Sequence, residues 1–368
     1  MIDEVYMARA LQLAKRGCFT TAPNPNVGCV IVNNGNIVGE GWHKKTGEDH
    51  AEIQALKIAG SQAKNSTVYV TLEPCSHHGL TPPCCYALIK AGINRVVCAV
   101  QDPNPIVSGK GFNLLQQAGI KVNHGLMMEE SKEINRGFFK RMCTGYPWLQ
   151  LKLGISLDGR IAMIDKNSKW ITSEDSRNDV QIYRAKSSAI ISTSSTVLSD
   201  NPFLTVRWSK IQKQINFLPN KKLLCQPVRV IIDRNNRVTP KHKLISQAGQ
   251  IWLIRHKHDQ NIWPSNVVQM ILPLCQKKSM LSQILLLLGK HEINNVLVEA
   301  GGIFSGALIK ANLIDELIIY IAPKILGHNS ISFCTLPGLN NLKDAPTFTY
   351  TDIKRIGNDI RLTLMPKK

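Results

Sequence analysis

The chain of 368 residues lacks the features that mark membrane-spanning and disulfide-stabilised proteins. No apolar run approaches the roughly 20 residues that cross a bilayer, and the run 284–289 is far too short. Its ten cysteines show no framework spacing, which favours free thiols in a reducing compartment. The acidic start, with Asp3 and Glu4, predicts the first turn of a helix rather than a signal peptide. We therefore expect a cytoplasmic protein without membrane association.

Acidic residues are also scarce, with 26 Asp and Glu against 45 Lys and Arg and a formal net charge of +19. A charge of this size invites a nucleic-acid-binding interpretation. The excess is uneven, however, because residues 1–145 carry 15 Lys and Arg against 11 Asp and Glu, whereas the segment 207–243 carries ten basic residues and one acid. We therefore expect no nucleic-acid partner, and interpret the excess as a solvated surface that in part suits phosphate-bearing small molecules.

Internal repeats and low-complexity tracts are absent as well, so the length favours two ordinary domains. A hydrophobic fraction of 43% is ample for two packed cores. The turn-rich joint Thr144-Gly145-Tyr146-Pro147 predicts the boundary, with domains at 1–145 and 146–368.

Alternating hydrophobic strands and helices predict an α/β layered fold in both domains. In the first domain a hairpin surrounds 33–36, strands are predicted at 67–71 and 96–100, and helices at 3–16, 50–59 and 111–118. Thr81 is expected to cap a further helix with Pro82 at its first position. The second domain is predicted to be doubly wound, with strands at 148–155, 189–193, 228–232, 250–254, 295–298 and 317–321 and helices at 173–184, 279–288 and 304–311.

One motif in the first domain carries clear chemistry: His50-Ala51-Glu52, then Pro74-Cys75, then Cys84. One imidazole and two thiolates are the three protein ligands of an open zinc site, and with a neighbouring glutamate they are typical of zinc-dependent nucleobase deaminases. Such a site activates water for hydrolytic removal of an exocyclic amine, with Glu52 moving the protons. Eight residues separate the two cysteines, where the usual signature has two.

The spacing leaves alternatives open for the ligand set. Cys85 could take the place of Cys84, and His77, His78 or Cys85 could complete a closed structural zinc site. A closed site would leave Glu52 without a purpose, so an open catalytic site is favoured. For Cys84, we expect the N-terminus of the following helix to stabilise the thiolate.

Together with further motifs, these residues closely resemble the bifunctional deaminase/reductases of riboflavin biosynthesis. The resemblance covers nearly the whole chain. Its motifs are, in chain order, Pro23-Asn24-Pro25-Asn26-Val27-Gly28, His50-Ala51-Glu52, Leu72-Glu73-Pro74-Cys75-Ser76-His77-His78-Gly79, Thr81-Pro82-Pro83-Cys84, Gln101-Asp102-Pro103-Asn104-Pro105, Lys152-Leu153-Gly154-Ile155-Ser156-Leu157-Asp158-Gly159-Arg160, Thr196-Val197-Leu198, Asp200, Pro202, Leu204-Thr205-Val206-Arg207 and Val298-Glu299-Ala300-Gly301-Gly302.

The resemblance implies an N-terminal cytidine-deaminase-like three-layer α/β domain and a C-terminal dihydrofolate-reductase-like α/β domain. It assigns Zn²⁺ to His50, Cys75 and Cys84, the proton shuttle to Glu52 and a pyrimidine contact to Asn24. It also implies NADPH as the second cofactor, a phosphoribosylaminopyrimidine as the small-molecule substrate, and a homo-oligomer, either a dimer or a tetramer.

In the second domain the resemblance implies two sets of site residues. The family's substrate positions are matched by Ser168, Arg184, Leu204, Arg207 and Glu299. Its NADP positions are matched by Gly154, Trp170, Thr196, Asp200, Gly301, Gly302, Ile303, Phe304, Ser305, Gly306 and Ala307. Guanidinium groups suit a 5′-phosphate, and bare amides between a strand and a helix can cradle a pyrophosphate.

Two residues depart from the family pattern. Leu80 stands where the family usually has Arg or Lys, so a raised KM for deamination is expected. Arg234 follows the strand 228–232 where the family tends to have a small hydroxyl residue. Because the end of that strand is a usual place for the residue that reads the ribose 2′ group, Arg234 is predicted to bind the NADP 2′-phosphate.

The expected function is therefore hydrolytic deamination of a diaminopyrimidine phosphoribosyl compound, followed by hydride transfer from NADPH to its opened ribose, with Lys152 as a candidate proton donor. Two other functions fit the zinc motif. A polynucleotide-editing deaminase is disfavoured by the long 75–84 loop and the near-neutral first domain. A zinc-stabilised scaffold without catalysis has Leu80 as its only support.

Overall fold

The computed structural model describes residues 2–79, 81–165, 169–212, 215, 223–272 and 279–367. The chain divides into two compact units, of which the first holds Met1–Tyr146 and the second holds Pro147–Asn216 and Cys225–Lys368. None of the described helices combines the length and the apolar character that crossing a bilayer requires.

The first unit is a three-layer α/β fold with one five-stranded sheet. Its elements are, in chain order, α1 Ile2–Ala14, β1 Gly28–Asn33, β2 Asn36–Trp42, α2 Ala51–Ala59, β3 Thr67–Val70, α3 Cys84–Lys90, β4 Arg95–Cys98, α4 Lys110–Gln117, β5 Lys121–His124, α5 Met128–Ile134 and α6 Arg136–Thr144. The strand order is β2-β1-β3-β4-β5. β1 is antiparallel to β2 and β3, and β3, β4 and β5 are parallel to one another.

Alternate residues of these strands face opposite layers, because side chains of a strand have a period of two. On one face, Ile31 and Val68 pack with Leu88 of α3 and with helices α2 and α4. On the other face, Val30 packs with Leu11 of α1. The antiparallel β1 leaves β2 and β3 pointing the same way, so the carboxyl ends of β2, β3 and β4 meet at one edge of the sheet.

The second unit is built on a nine-stranded sheet. Its elements are, in chain order, β6 Trp148–Ser156, β7 Arg160–Ala162, α7 Glu174–Lys186, β8 Ala189–Thr193, α8 Ser194–Asp200, α9 Trp208–Ile211, β9 Val228–Ile232, β10 Ile251–Arg255, β11 Val267–Ile271, α10 Met280–Lys290, β12 Asn295–Val298, α11 Gly302–Lys310, β13 Glu316–Ala322, β14 Ile331–Ser332, β15 Phe348–Ile356 and β16 Asp359–Pro366. The strand order is β11-β10-β9-β8-β12-β6-β13-β16-β15, and β14 pairs separately with β7.

The strands from β11 to β13 in this order are parallel, and β16 joins antiparallel to β13. Parallel strands are buried by helices on both faces and therefore read as continuous apolar runs. Ile190, Ile231 and Leu297 contribute to one such buried cluster, and Val180 of α7 packs against Tyr320 in another. The carboxyl ends of β6, β8, β9 and β12 consequently share one edge of the sheet.

Helix α11 approaches the backbone of residues 332–335 closely through two glycines one helical turn apart. A Cβ atom on Gly302 would lie 2.3 Å from the Ser332 carbonyl oxygen, and one on Gly306 would lie 1.9 Å from that of Thr335. A Cβ atom on Gly301, just before the helix, would meet nothing within 4 Å. Gly302 and Gly306 are thus packing residues, whereas Gly301 faces open space.

The α/β architecture of both units is confirmed, and the six strands and three helices predicted for the second unit are found to within two residues. The predicted helix start at Thr81 and Pro82 is wrong, because α3 begins at Cys84 with Pro83 extended before it. A proline disfavours helical backbone in the residue that precedes it, so Pro83 keeps Pro82 out of the helix. Strand β15 was not predicted, since it is exposed along most of its length and lacks an apolar face.

We expect Gly306→Ala to lower the free energy of unfolding of the second unit by about 1–3 kcal/mol, the usual cost of overpacking. The matched Gly301→Ala variant should leave it within about 0.5 kcal/mol, because the added methyl group meets open space. Urea unfolding followed by tryptophan fluorescence measures both, since five of the six tryptophans lie in this unit. Equal stability of the two variants would contradict the packing role of Gly306.

Candidate active sites

Three candidate metal ligands converge at the shared strand edge of the first unit. His50 is the residue before α2, Cys75 follows β3, and Cys84 is the first residue of α3. One ligand atom from each lies within 4.8 Å of the other two. The His50 Nδ1 atom is 3.2 Å from the Cys84 sulfur and 3.5 Å from the Cys75 sulfur. An imidazole and two sulfurs at this spacing fit a zinc ion.

Thr81, expected as a helix cap, contacts the metal-site histidine instead. Its hydroxyl Oγ1 lies 3.2 Å from the Nε2 atom of His50. A partner on the second ring nitrogen fixes the orientation of a ligating imidazole. The segment between the cysteines therefore contributes to the metal site through Thr81, while Leu80 lies outside the described residues.

Cys85 is excluded as a ligand by its surroundings. Its buried thiol points to the Pro74 carbonyl oxygen at 3.3 Å and to that of Gly111 at 3.6 Å. Among the residues that the structure describes, no fourth ligand atom joins those of His50, Cys75 and Cys84. The ligand set is thus three, as an open catalytic site requires.

The two ligand thiols differ in acidity. The hydrogen bond from the Cys84 thiol, together with the His50 ring, lowers the pKa of Cys75 to about 4 although burial opposes this. The backbone N–H of Cys84 also donates to the Cys75 sulfur at 3.3 Å. The pKa of Cys84 itself is raised well above the usual value by its hydrogen bond to the Cys75 sulfur and by burial. The helix N-terminus therefore donates to Cys75, and its stabilisation of the Cys84 thiolate stays a prediction.

Glu52 lies beside these ligands in the first turn of α2 and is almost fully buried. Burial is the main cause that raises its pKa, while the nearby His50 ring lowers it. A buried carboxyl whose pKa is raised toward neutrality suits a group that accepts and returns protons. Its position matches the proton-shuttle role predicted from the motif.

His43 is a site residue that the sequence interpretation missed. It follows β2, is buried, and its ring centroid lies 5.2 Å from that of His50 in an edge arrangement. Burial lowers its pKa to about 4, so the ring is neutral at physiological pH. The Asn24 amide nitrogen lies 3.1 Å from the His43 Nε2 atom, which places Asn24 next to the metal site. The sequence could have indicated His43, because this residue follows a strand that runs in the same direction as the strand before Cys75.

The second unit contains a cavity of about 1420 Å³ at the carboxyl ends of its parallel strands. Fourteen of the predicted reductase residues line it. They are Gly154, Trp170, Arg184, Thr196, Asp200, Leu204, Arg207, Arg234, Glu299, Gly301, Gly302, Ile303, Phe304 and Ala307.

Three predicted residues stand apart from this wall. Ser305 is buried and its hydroxyl donates to the Gly301 carbonyl oxygen, so it supports the loop from behind. Gly306 faces the backbone of Thr335. Ser168 lies outside the described residues. Cofactor or substrate contacts of these three stay predictions.

The cavity wall is strongly basic. Eight cationic side chains line it against two carboxylates, Asp200 and Glu299. The cations are Lys152, Lys169, Arg177, Arg184, Arg207, Arg234, Arg237 and Lys243. A low-dielectric wall with this imbalance attracts anions. A ligand with several phosphate groups matches it.

Arg184 and Glu299 form a paired fork at the base of this cavity. The Nε and Nη2 atoms of Arg184 donate to the two Glu299 oxygens at 2.6 Å and 3.0 Å, and Nη1 donates to the Thr205 carbonyl oxygen at 2.9 Å. Burial would raise the pKa of Glu299, but Arg184 and Lys152 lower it to about 2. Burial in turn lowers the pKa of the Lys152 ammonium. Three N–H groups of Arg184 are thus bound within the protein, so Arg207 is the more available cation for a ligand phosphate.

A rigid turn after β9 carries two further arginines of the cavity. The buried Asp233 accepts hydrogen bonds from the backbone N–H groups of Arg237 and Val238 and from the Arg255 guanidinium. Asp233 and Arg255 have no exposed side-chain surface. Arg237 also donates to the Ser194 and Ser195 hydroxyls. The turn is therefore fixed from below while Arg234 and Arg237 line the cavity.

Replacing Cys84 should abolish metal binding, whereas replacing its neighbour should not. We expect Cys84→Ala to reduce bound zinc from one to well below one ion per chain, because it removes a ligand atom. Cys85→Ala should keep zinc, since its thiol faces two carbonyl oxygens. Metal analysis of the purified variants decides this, and zinc loss on Cys85→Ala alone would reverse the assignment.

Glu299 should make stability depend on pH at acidic values. Its pKa near 2 lies below the ordinary value, so the stabilisation is complete above about pH 5 and is lost as pH falls through 2. The gap in unfolding free energy between the wild-type protein and Glu299→Gln should shrink by about half from pH 6 to pH 3. Urea unfolding followed by tryptophan fluorescence measures it, with the exposed Asp344→Asn as control. A gap that does not change with pH would count against the ion pair.

Family models match both units of the chain. The family described as RibD C-terminal domain matches residues 147–362, and the family described as cytidine and deoxycytidylate deaminase zinc-binding region matches residues 1–100. The riboflavin biosynthesis protein RibD of Escherichia coli (strain K12) is 55% identical over 365 residues, which cover 99% of this chain and 100% of that protein.

Solved structures give the same result for the whole chain. Acinetobacter baumannii RibD, form 1, superimposes with a TM-score of 0.90 at 39% identity and covers 100% of this chain and 99% of that one. A diaminohydroxyphosphoribosylaminopyrimidine deaminase/5-amino-6-(5-phosphoribosylamino)uracil reductase from Thermotoga maritima does so with a TM-score of 0.86 at 32% identity, with coverages of 100% and 99%. The resemblance is confirmed, and the chain belongs to the RibD family of bifunctional riboflavin biosynthesis deaminase/reductases.

Proposed function

We propose that the chain carries out two successive reactions of riboflavin biosynthesis. Residues 1–145 deaminate 2,5-diamino-6-(5-phosphoribosylamino)pyrimidin-4(3H)-one, and residues 146–368 reduce its ribosyl group to give 5-amino-6-(5-phosphoribitylamino)uracil. The observation that carries the proposal is the set of three ligand atoms within 4.8 Å, with Glu52 buried beside them.

In the deaminase, His50, Cys75 and Cys84 hold the zinc ion. Zinc in such a three-ligand site lowers the pKa of water and so supplies a nucleophile at neutral pH. Glu52 would accept one proton of the attacking water on its carboxylate and pass it to the ring nitrogen as the C–O bond forms. It would then take the second proton from the new hydroxyl group and pass it to the amine, which leaves as ammonia when the C–N bond breaks. Asn24, held by the neutral His43, contacts the pyrimidine edge.

In the reductase, the cavity holds NADPH and the phosphorylated substrate together. Its volume of about 1420 Å³ exceeds the range of about 300–1,000 Å³ typical of a single-ligand pocket, and its cationic lining matches their phosphates. NADPH supplies the hydride. Gly301, whose missing Cβ leaves open space before α11, fits the approach of the pyrophosphate to the helix N-terminus. Arg207 binds the substrate 5′-phosphate, and Lys152 remains the candidate proton donor.

Arg234 gives the cavity its preference for NADPH over NADH. It stands on the turn that Asp233 and Arg255 fix after β9, where a guanidinium can meet the ribose 2′-phosphate. We also propose that the chain assembles as a homo-oligomer, a dimer or a tetramer, and acts in the cytoplasm. The described cysteines form no disulfide, which supports the latter because it suits a reducing compartment.

Glu52→Gln should lower ammonia release from the diaminopyrimidine substrate by about 10²–10⁴-fold, the usual worth of a general acid–base group. Reduction of substrate that is already deaminated should stay within twofold, because the two sites lie in different units. A coupled assay of ammonia release and NADPH oxidation measures both, with the exposed Glu48→Gln as control. If both activities fell together in a folded protein, the assignment of independent sites would be wrong.

Arg234→Ser should raise the KM for NADPH about tenfold while the KM for NADH changes little, because only NADPH carries the 2′-phosphate. Steady-state reduction of pre-deaminated substrate with each nucleotide gives the comparison. The exposed Arg355→Ser variant, remote from the cavity lining, is the control. An unchanged NADPH/NADH preference would remove Arg234 from the cofactor site.

A further inference from the structure

A second glutamate lies close to the zinc site and takes no part in the chemistry described above. Glu73 stands two residues before the zinc ligand Cys75, at the end of β3. Its side chain is 3% exposed, and its own backbone N–H donates to the Val100 carbonyl oxygen beyond β4. A carboxylate this buried is costly unless hydrogen bonds compensate for the lost water. Its partners therefore indicate what it does.

The Glu73 carboxylate accepts three backbone hydrogen bonds from one neighbouring segment. Oε2 accepts from the N–H groups of Asp102 at 3.2 Å and Gly109 at 3.0 Å, and Oε1 accepts from that of Gly111 at 2.9 Å. Hydrogen bonds to an ionised acceptor are roughly twice as strong as neutral ones. One side chain thus fixes both ends of the segment 102–111.

The same segment is pressed against the residue that precedes the zinc ligand. A Cβ atom on Gly111 would lie 2.1 Å from the Pro74 carbonyl oxygen, so only glycine permits this approach. Within the segment, the Asp102 carboxylate accepts from the Asn104 N–H at 2.8 Å and closes a turn. Burial, and to a lesser extent the charges of Glu73 and Cys75, raise the pKa of Asp102 to about 6. The turn therefore lies within electrostatic reach of the metal ligands.

We propose that Glu73 is a positioning residue of the deaminase, which holds the segment 102–111 against the strand end that carries Cys75, so that this segment forms one wall of the substrate pocket. The proposal rests on the deaminase activity of the first unit. Glu73 touches neither substrate nor metal in this role. Its effect on catalysis passes through the placement of Asp102 and its turn.

The test replaces Glu73 by glutamine, which keeps its size but turns an amide N–H₂ toward the backbone donors. Hydrogen–deuterium exchange should speed up at least tenfold at 102–111 and stay unchanged in α2, since a buried donor loses its acceptor. Zinc content and reductase activity should stay at wild-type values. The deaminase KM should rise about tenfold with kcat changing less than threefold, because the pocket wall and not the reacting groups has moved.

Two further variants sharpen the comparison. Gly111→Ala should give the same KM rise, because its added methyl group pushes the segment away from the Pro74 carbonyl oxygen and the Glu73 side chain while the Glu73 carboxyl group itself is kept. Glu129→Gln is the matched control, since the side chain of this glutamate in the same unit is 76% exposed and forms an ion pair with Lys132 of the same helix.

Each outcome decides the proposal. Unchanged exchange at 102–111 in Glu73→Gln, or an unchanged deaminase KM, overturns it. Loss of zinc with an unchanged KM in the remaining loaded enzyme also overturns it, because Glu73 would then hold the metal ligand instead of the segment. Absence of ammonia release from the wild-type protein would contradict the proposed function, whereas the exchange measurement would still decide the contact.

Discussion

The structure of the first unit depends on bringing three metal-ligating atoms, which are up to 34 positions apart in the chain, within 4.8 Å of one another. Ligand atoms can stay this close together only if the backbone holds each one in place. Each of the three therefore comes from a position next to the end of a helix or strand. His50 precedes α2, Cys75 follows β3 and Cys84 opens α3. The antiparallel β1 makes β2, β3 and β4 point to the same edge, which is why His43, Cys75 and the turn at Asp102 meet there.

The second unit also places its candidate site at the ends of parallel strands, but this site is a cavity instead of a metal centre. In this cavity, strand β6 with the segments after β8, β9 and β12 brings together residues from 152 to 301. Here the dominant physical feature is charge, because eight cations face two carboxylates. The Arg184–Glu299 pair neutralises part of that charge, and the buried Asp233–Arg255 pair fixes the turn after β9. The cations that remain can meet phosphate groups.

Sequence interpretation missed several contacts for one reason, which is that the partner of a side chain or backbone group could not be known. Arg184 matches a substrate position, and three of its N–H groups also bind Glu299 and Thr205. Thr81 reads as a helix cap but contacts His50. The helix N-terminus at Cys84, predicted to support that thiolate, also donates to Cys75. Gly306 matches a cofactor position, and it also packs against the backbone at Thr335.

The sequence by itself determined the α/β layers, most strands of the two sheets and the zinc motif, because hydrophobic period and ligand chemistry are local properties of the chain. It also determined the family, through motifs that span both units. Only the tertiary structure decided between Cys84 and Cys85, revealed His43 and gave Glu73 its three amides. These choices depend on which side chains meet across strands far apart in sequence, and that is set by the direction and order of the strands rather than by any local pattern.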